Sequence, residues 1–232
     1  MTTSRRRDFD LGVYLVTDRA CCGPRGVEAV VRAAIANGAT LVQLRDKAID
    51  ARPMLELGRA LLAILRPAGI GLIVNDRVDV AQALDADGVH VGQDDIPYPD
   101  ARRLLGPEKI IGVSVGSEAH AREAAGWDVD YVGIAPAYAT ATKADAGAAL
   151  GVAETARLAA IAGHRAVAIG GIDAGNAGAL YAAGLEGVAV VSAICAATDP
   201  GAATHAIAAV MRERRTRWPA SGRNAPTSAR PG

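Results

Sequence analysis

The chain of 232 residues has few aromatic side chains, no excess of charge of either sign and no long apolar run. Aromatic residues make up 3% of it, and its 25 lysines and arginines balance its 25 aspartates and glutamates. A balanced charge creates no global field toward nucleic acid or an acidic membrane surface, so any anion binding must be local. No segment approaches the ~20 apolar residues of a membrane-spanning helix, so we expect neither a nucleic-acid nor a membrane partner.

Cysteine is scarce as well. Cys21 and Cys22 are adjacent and Cys195 stands alone, which gives an odd number with no metal-ligand spacing and no disulfide framework. Behind Arg5-Arg6-Arg7 there is no apolar run long enough for a signal peptide. These absences predict a soluble protein in the reducing cytoplasm.

Short apolar runs rich in valine and isoleucine recur eight times along the chain. Most are continuous rather than alternating, which is typical of strands that are covered on both faces. Segments with helical spacing lie between them. Strand and helix in alternation predict an α/β protein with a (β/α)₈ TIM barrel, and a doubly wound open sheet is the alternative. The predicted strands are residues 13–17, 41–44, 70–74, 88–91, 110–115, 131–134, 166–169 and 187–191.

The length and the hydrophobic content favour a single domain. We expect residues 1–10 to form an N-terminal arm and residues 11–216 to form the barrel. Residues 217–232 are polar, rich in proline, glycine and serine, and without periodicity. They predict a disordered tail.

A cationic tip follows the second predicted strand, where Leu44 is succeeded by Arg45-Asp46-Lys47. Two like charges at the carboxyl end of an apolar strand repel each other, so an anion between them is the natural reason for such a cluster. The tip therefore indicates a phosphate or pyrophosphate site. The alternative is an ordinary solvated strand end, in which Asp46 neutralises its two neighbours.

Two further strands end near aspartates, Asp76 and Asp95. Their carboxylates can face each other across the rim of a barrel with room for a hard cation. Mg²⁺ needs only one or two carboxylates when a substrate pyrophosphate completes its shell. Alternatively, Asp76 could cap a helix, and either Asp94 or Asp95 could cap the helix that begins near Pro97. Arg45, Lys47 and Lys143 favour the metal, because they supply the positive charge that a metal-bound pyrophosphate requires.

The last two strands are followed by Gly170-Gly171 and by Ser192. Barrels of this kind bind phosphate there, on backbone N–H groups that glycine leaves accessible. A simple turn is the alternative. His90 lies inside the fourth strand and is interpreted as a buried, hydrogen-bonded histidine. No Ser-His-Asp order or Cys-His pair is present, so covalent nucleophilic catalysis is not supported.

Seven short segments carry a further signal, in this order along the chain: residues 14–18, 42–47, 75–79, 88–95, 112–114, 140–143 and 170–172. In these segments, from Val13 to about Ala193, the chain resembles the thiamine-phosphate synthase family. The resemblance implies a TIM-barrel transferase that joins 4-amino-2-methyl-5-(diphosphooxymethyl)pyrimidine to 4-methyl-5-(2-phosphoethyl)thiazole, or to its carboxylated tautomer. Thiamine phosphate and pyrophosphate would be the products, and Mg²⁺ the cofactor.

The resemblance also implies a role for individual residues. The metal would be held by Asp76 and Asp95. The catalytic residues would be Arg45, Lys47, Ser114 and Lys143. The pyrimidine pyrophosphate would contact Gln43, Arg45, Lys47, Asn75, Ser114 and Lys143. The thiazole phosphate would contact Thr140, Thr142, Gly171, Val191 and Ser192.

The chain departs from the family pattern at Ala135, where glycine is usual, and at Ala139, where proline is usual. Both departures lie in the loop after the sixth strand and bear on how that loop closes. Two other functions stay open. A thiazole tautomerase of the same family would need a histidine at a strand end and no metal carboxylates. A non-catalytic phosphate binder would keep only the glycines and Ser192. The sequence leaves the oligomeric state open.

Overall fold

The computed structural model describes residues 8–140 and 147–217, apart from the side chains of residues 214–217. The strands are β1 (Val13–Val16), β2 (Leu41–Leu44), β3 (Gly71–Asn75), β4 (Gly88–Val91), β5 (Ile110–Val115), β6 (Tyr131–Ile134), β7 (Ala166–Ile169) and β8 (Gly187–Val190). All pair in parallel in sequence order, and β8 pairs with β1 to close the barrel. The predicted TIM barrel is confirmed, and the open sheet is wrong.

The predicted strand boundaries differ from the observed ones by at most one residue. β1 and β8 each end one residue earlier than predicted, and β3 begins and ends one residue later. Differences of this size are usual at strand ends, where the pairing is incomplete. The predicted tail from residue 218 onward and the first seven residues of the predicted arm lie outside the described residues.

Helices follow the strands around the outside of the barrel. The buried side of the second helix is formed by four residues at helical spacing, Val27, Val30, Val31 and Ala34. Before the last helix, the Asp199 carboxylate accepts a hydrogen bond from the Ala202 N–H at 2.9 Å and so caps the helix. The helices are α1 (Arg19–Cys22), α2 (Val27–Ala36), α3 (Ala51–Leu65), α4 (Val78–Leu84), α5 (Tyr98–Leu105), α6 (Glu118–Ala125), α7 (Gly151–Ala162), α8 (Ala177–Ala182), α9 (Ser192–Cys195) and α10 (Pro200–Arg217).

The hydrophobic core has two parts, one between the strands and the helices and a smaller one inside the barrel. Phe9 packs against the inner part at the amino ends of the strands. The Arg165 guanidinium lies 4.2 Å from the centre of the Phe9 ring and pairs with Glu186 at 2.6 Å. This end of the barrel is therefore closed, which leaves the carboxyl ends for a site. Among the described residues, no helix is long and apolar enough to cross a membrane.

The seam between β8 and β1 leaves no room for a side chain at Gly187. A Cβ there would lie 1.7 Å from the carbonyl oxygen of Leu11, which is backbone and cannot yield without disturbing the seam. We expect Gly187→Ala to lower the free energy of unfolding by about 2–3 kcal/mol, measured by urea denaturation.

The matched control for this substitution is Gly126→Ala. Gly126 is exposed, has a φ of −84°, and a Cβ there would meet its nearest neighbour at 3.4 Å. The free energy of unfolding should change by less than about 0.5 kcal/mol. Equal effects of the two substitutions would contradict the packing at the seam.

Candidate active site

A pocket opens at the carboxyl ends of the barrel strands. It brings together every predicted site residue that the structure describes, whereas Thr142 and Lys143 lie outside the described residues. The predicted residues that line the pocket are Gln43, Arg45, Lys47, Asn75, Asp76, Asp95, Ser114, Thr140, Gly171, Val191 and Ser192.

The end of β1 holds Arg45 in position. The Thr17 hydroxyl accepts a hydrogen bond from the Arg45 N–H at 3.0 Å and lies 3.3 Å from the Arg45 carbonyl oxygen. Asp18 accepts a hydrogen bond from the Cys21 N–H, which caps α1, and its carboxylate lies 3.6 Å from the Arg45 guanidinium. Two neighbouring strands therefore fix the backbone and the direction of this cation.

Asp46 does not neutralise the cations on either side of it. Its carboxylate pairs with Arg19 at 2.9 Å and accepts a hydrogen bond from the Ala48 N–H at 2.9 Å. The neighbouring cations reach the pocket instead, where Lys47 Nζ lies 3.7 Å from the Asp76 carboxylate. The contacts of Arg45 and Lys47 to aspartates are longer than hydrogen bonds, so N–H donors stay available for an anion.

Asp76 and Asp95 are held by backbone hydrogen bonds near the ends of β3 and β4. The Asp76 N–H donates to the His90 carbonyl at 2.8 Å, and Asp95 Oδ2 accepts from the Gly92 N–H at 2.7 Å. Neither carboxylate caps a helix, because α4 follows Arg77 and α5 follows Pro97 without a side-chain cap. The helix-cap alternative for the two aspartates is therefore wrong.

The two carboxylates repel each other. Burial, together with the hydrogen bond and the charge of Asp95, raises the pKa of Asp76 to about 6, against the lowering effect of Lys47 and Arg45. A divalent cation between the carboxylates would relieve this repulsion. The residues therefore fit Mg²⁺. The described part of the chain holds no cluster of three or more metal-ligating side chains, so substrate and water would supply the other ligands.

Together, Arg45, Lys47, Asp76 and Asp95 form what we call the charged rim. On the opposite side, the pocket is lined by backbone rather than by charge. Gly170 and Gly171 have φ values of 106° and 62°, which favour glycine. A Cβ on Gly171 would lie 2.4 Å from the carbonyl oxygen of Ala139.

The backbone side of the pocket is closed by the segment after β6. The Tyr138 N–H donates to the Gly170 carbonyl at 3.0 Å, which holds that segment against the two glycines. Ala135 also lines the pocket. Residues 141–146 lie outside the described residues, so the effect of Ala135 and Ala139 on loop closure stays a prediction.

Sequence reasoning missed Tyr14 and His90 at the bottom of the pocket, and the fully buried Tyr131 that hydrogen-bonds to both from beneath. His90 was expected to be a buried histidine, but its ring is half-buried and lines the pocket, with Nε2 at 3.0 Å from the Ser114 hydroxyl. The sequence does carry a signal for this position. Polar residues interrupt otherwise apolar strands at Tyr14, Gln43, His90 and Ser114, and all four side chains line the pocket.

Comparison with known proteins gives consistent matches. The family model described as thiamine monophosphate synthase matches residues 13–194. A thiamine-phosphate synthase from Roseiflexus sp. (strain RS-1) is 49% identical over 199 residues, which cover 86% of this chain and 84% of that protein. One from Solidesulfovibrio magneticus is 51% identical over 208 residues, 90% of this chain and 99% of that protein.

A solved structure agrees with these matches. The thiamine phosphate pyrophosphorylase from Pyrococcus furiosus is 36% identical and has a TM-score of 0.80, with 88% of this chain and 96% of that chain covered. These matches confirm the resemblance that the sequence motifs indicate. The chain therefore belongs to the thiamine monophosphate synthase family, whose named members are transferases of thiamine biosynthesis.

Proposed function

We propose that the protein joins 4-amino-2-methyl-5-(diphosphooxymethyl)pyrimidine to 4-methyl-5-(2-phosphoethyl)thiazole or its carboxylated tautomer, with Mg²⁺ as cofactor. Thiamine phosphate and pyrophosphate would be the products. The observation that carries this proposal is the charged rim, where two carboxylates lie beside two cations at one edge of the pocket. A metal-bound pyrophosphate is a ligand that matches both, because its metal can bind the carboxylates while its phosphate oxygens bind the cations.

Departure of pyrophosphate is the difficult step. The bond between the pyrimidine methylene carbon and the pyrophosphate oxygen breaks, and its electron pair leaves with the pyrophosphate. Arg45 and Lys47 stabilise the negative charge that develops there, and Lys143 is expected to join them. Asp76 and Asp95 would hold Mg²⁺, which when bound neutralises part of the same charge.

The second half of the reaction needs no base. The thiazole nitrogen carries a free lone pair, which forms the new carbon–nitrogen bond. The aminopyrimidine delocalises the positive charge that the departing pyrophosphate leaves behind, so the substitution is dissociative. The role of the protein at this step is to place the two rings in contact and to keep water away.

We place the thiazole phosphate on the backbone side of the pocket. Gly170 and Gly171 line the pocket there with φ values that favour glycine, and α9 begins at Ser192, which lines the same pocket. Thr140 and Val191 line the same pocket. This separates the two anions of the substrates, one on the charged rim and the other on backbone N–H groups.

The geometry favours this reaction over the other functions considered. A tautomerase would move protons, yet both ring nitrogens of His90 are within hydrogen-bond distance of Tyr131 and Ser114. Neither a tautomerase nor a phosphate binder would need the pair of Asp76 and Asp95. All three cysteines are free thiols, which supports a reducing cytoplasm as the compartment.

The direct test is to incubate the protein with both phosphorylated precursors and Mg²⁺. Thiamine phosphate should appear by mass spectrometry, with one pyrophosphate released per product. Binding of either precursor without any product would favour the phosphate binder and contradict the proposed function.

Asp95→Asn tests the proposed metal site. The substitution keeps the shape of the side chain and removes one charge, so the Mg²⁺ concentration for half-maximal rate should rise. Turnover should fall on the order of 10²-fold, because one preorganised electrostatic contact is worth ~3 kcal/mol in the transition state. Asp100→Asn, an exchange on α5 outside the pocket, should leave both quantities unchanged. A folded Asp95→Asn variant with wild-type metal dependence would refute the assignment.

The raised pKa of Asp76 predicts how the metal-free protein responds to pH. The unfolded side chain ionises near pH ~3.9, whereas the folded one ionises at about 6, so ionisation between these values favours the unfolded state. Asp76→Asn should therefore raise the free energy of unfolding by about 1 kcal/mol at pH 7.5 in EDTA, and leave it unchanged at pH 4. Asparagine also tolerates the φ of 61° at this position.

Asp79→Asn is the control with the opposite sign. The hydrogen bond from Arg77 lowers the pKa of Asp79, so its charge contributes stability above the unfolded pKa, and this contribution is lost as the pH falls. At pH 7.5 this substitution should lower the free energy of unfolding, measured by urea denaturation as for Asp76→Asn. A decrease with both substitutions would contradict the carboxylate repulsion.

Gly171→Val tests the placement of the thiazole phosphate. A side chain at Gly171 would collide with Ala139 and Tyr138 and obstruct the backbone that faces the phosphate. The KM for the thiazole phosphate should rise far more than the KM for the pyrimidine pyrophosphate. Gly163→Val places the same strain at a φ of 69°, with nothing within 4 Å, so it controls for the backbone cost. An equal rise of both KM values in Gly171→Val would argue against the placement.

A further inference from the structure

Five hydrogen-bonded polar side chains form a row at the bottom of the pocket, and we call them the polar row. Four of them line the pocket, and Tyr131 is buried beneath it. Gln43 Nε2 lies 2.7 Å from Tyr14 Oη, which lies 2.9 Å from Tyr131 Oη. Tyr131 Oη lies 2.9 Å from His90 Nδ1, and His90 Nε2 lies 3.0 Å from Ser114 Oγ. The polar row therefore joins β2, β1, β6, β4 and β5. Its two ends, Gln43 and Ser114, are residues that the family resemblance places against the pyrimidine pyrophosphate.

The orientation of the Gln43 amide, with Nε2 toward Tyr14, assigns a direction to the hydrogen bonds of the polar row. The Gln43 amide N–H donates to Tyr14, so the single proton of the Tyr14 hydroxyl is available to Tyr131. With this direction, Tyr131 donates to His90 Nδ1, and each phenolic proton has an acceptor within the row. The tautomer of His90 that matches it carries the proton on Nε2 and donates it to Ser114 Oγ.

Burial keeps the two phenols in the form that this direction requires. Both rings are buried in the barrel, and burial raises the pKa of Tyr14 and of Tyr131 above the ordinary value. Each hydroxyl therefore keeps its proton at neutral pH.

The barrel also makes room for the polar row. A Cβ on Gly112 would lie 2.1 Å from Tyr131 Cζ, and a Cβ on Gly133 would lie 3.1 Å from His90 Cε1. Glycines on the two neighbouring strands β5 and β6 thus leave the space that the Tyr131 and His90 side chains occupy. Space and hydrogen bonds independently indicate that these rings are fixed in one arrangement.

We propose that Tyr14, Tyr131 and His90 are positioning residues that set the hydrogen-bonding polarity of the pyrimidine subsite. They turn the Gln43 amide so that its oxygen is left as an acceptor for the ligand. They also occupy the Ser114 oxygen with the His90 N–H, so that the Ser114 hydroxyl proton is left as a donor. This inference rests on the proposed function for the identity of the ligand.

The polarity selects one class of heterocycle. An aminopyrimidine presents an amino donor beside a ring-nitrogen acceptor, which is complementary to an acceptor at Gln43 and a donor at Ser114. The corresponding oxo-pyrimidine presents a carbonyl acceptor beside a ring N–H donor, the reverse pattern. Mismatched polar groups in a buried site are costly because each is left without a partner.

The first test is the tautomer of His90, which needs no substrate. Nitrogen-15 NMR of the ligand-free full chain should show His90 neutral, with the proton on Nε2 and Nδ1 as acceptor. The His90→Asn variant identifies the signal among the four histidines. In Tyr131→Phe, which removes the donor to Nδ1, the Nδ1 signal should shift toward a mixture of tautomers.

This measurement separates the inference from the proposed function, because it does not depend on turnover. A proton on Nδ1, or a doubly protonated ring, in the wild-type protein would reverse or break the direction of the polar row and overturn the inference. The expected tautomer would support it even in a protein that formed no thiamine phosphate.

The second test is kinetic and uses the pyrimidine pyrophosphate and its 4-oxo analogue. In Tyr131→Phe and Tyr14→Phe, the KM for the pyrimidine pyrophosphate should rise about tenfold while the KM for the thiazole phosphate stays within about twofold. In the same variants the oxo analogue should compete better with the amino substrate, so that the ratio of its inhibition constant to the KM of the pyrimidine pyrophosphate falls.

Tyr98→Phe is the matched control. It removes the hydroxyl of another buried tyrosine, which donates to the Asp128 carbonyl outside the pocket, and it should leave both KM values unchanged. Circular dichroism melting confirms that each variant is folded at the assay temperature. Equal rises of both KM values in the folded Tyr131→Phe and Tyr14→Phe variants, or an unchanged preference for the amino compound, would overturn the inference.

Discussion

The repulsion between two adjacent carboxylates, Asp76 and Asp95, is the constraint on which the rest of the site depends. Backbone pairing at the ends of β3 and β4 holds the two side chains together, and burial with the neighbouring charge raises the pKa of Asp76 to about 6. At neutral pH this arrangement costs free energy unless a cation binds. Arg45 and Lys47 lie beside the two carboxylates with N–H donors available for an anion. A metal-bound pyrophosphate, the ligand that we propose, would supply both a cation for the carboxylates and an anion for the two basic side chains.

The charged side chains and the neutral polar side chains of the pocket lie on different surfaces. Its rim carries the charged groups, where a leaving anion needs stabilisation. Its bottom carries neutral hydrogen-bonding groups, because burial raises the pKa of Tyr14 and Tyr131 and keeps both phenols protonated. A cation that develops on a pyrimidine between these two surfaces would meet no competing positive charge from below. Phe9 and Arg165 close the opposite end of the barrel, so the pocket opens only at the carboxyl ends of the strands among the residues that the structure describes.

Much of this could be predicted from the sequence. Continuous apolar runs gave the strands to within one residue, and parallel strands bring their carboxyl ends to one edge, so residues after each run were expected to meet. Pairing between side chains could not be predicted. Asp46 turns to Arg19, and Tyr14 bonds to Tyr131 across 117 residues of sequence. That contact requires both a closed barrel and the absence of a side chain at Gly112, which no local pattern reveals.

Calorimetric titration of the protein with inorganic pyrophosphate, with and without Mg²⁺, tests the central claim most directly. It measures binding at the charged rim apart from catalysis. The heat of mixing Mg²⁺ with pyrophosphate is measured in a titration without protein and subtracted. The account predicts affinity at least about tenfold higher with Mg²⁺, because the carboxylates repel the bare anion and hold the metal. Equal affinity with and without Mg²⁺ would contradict it.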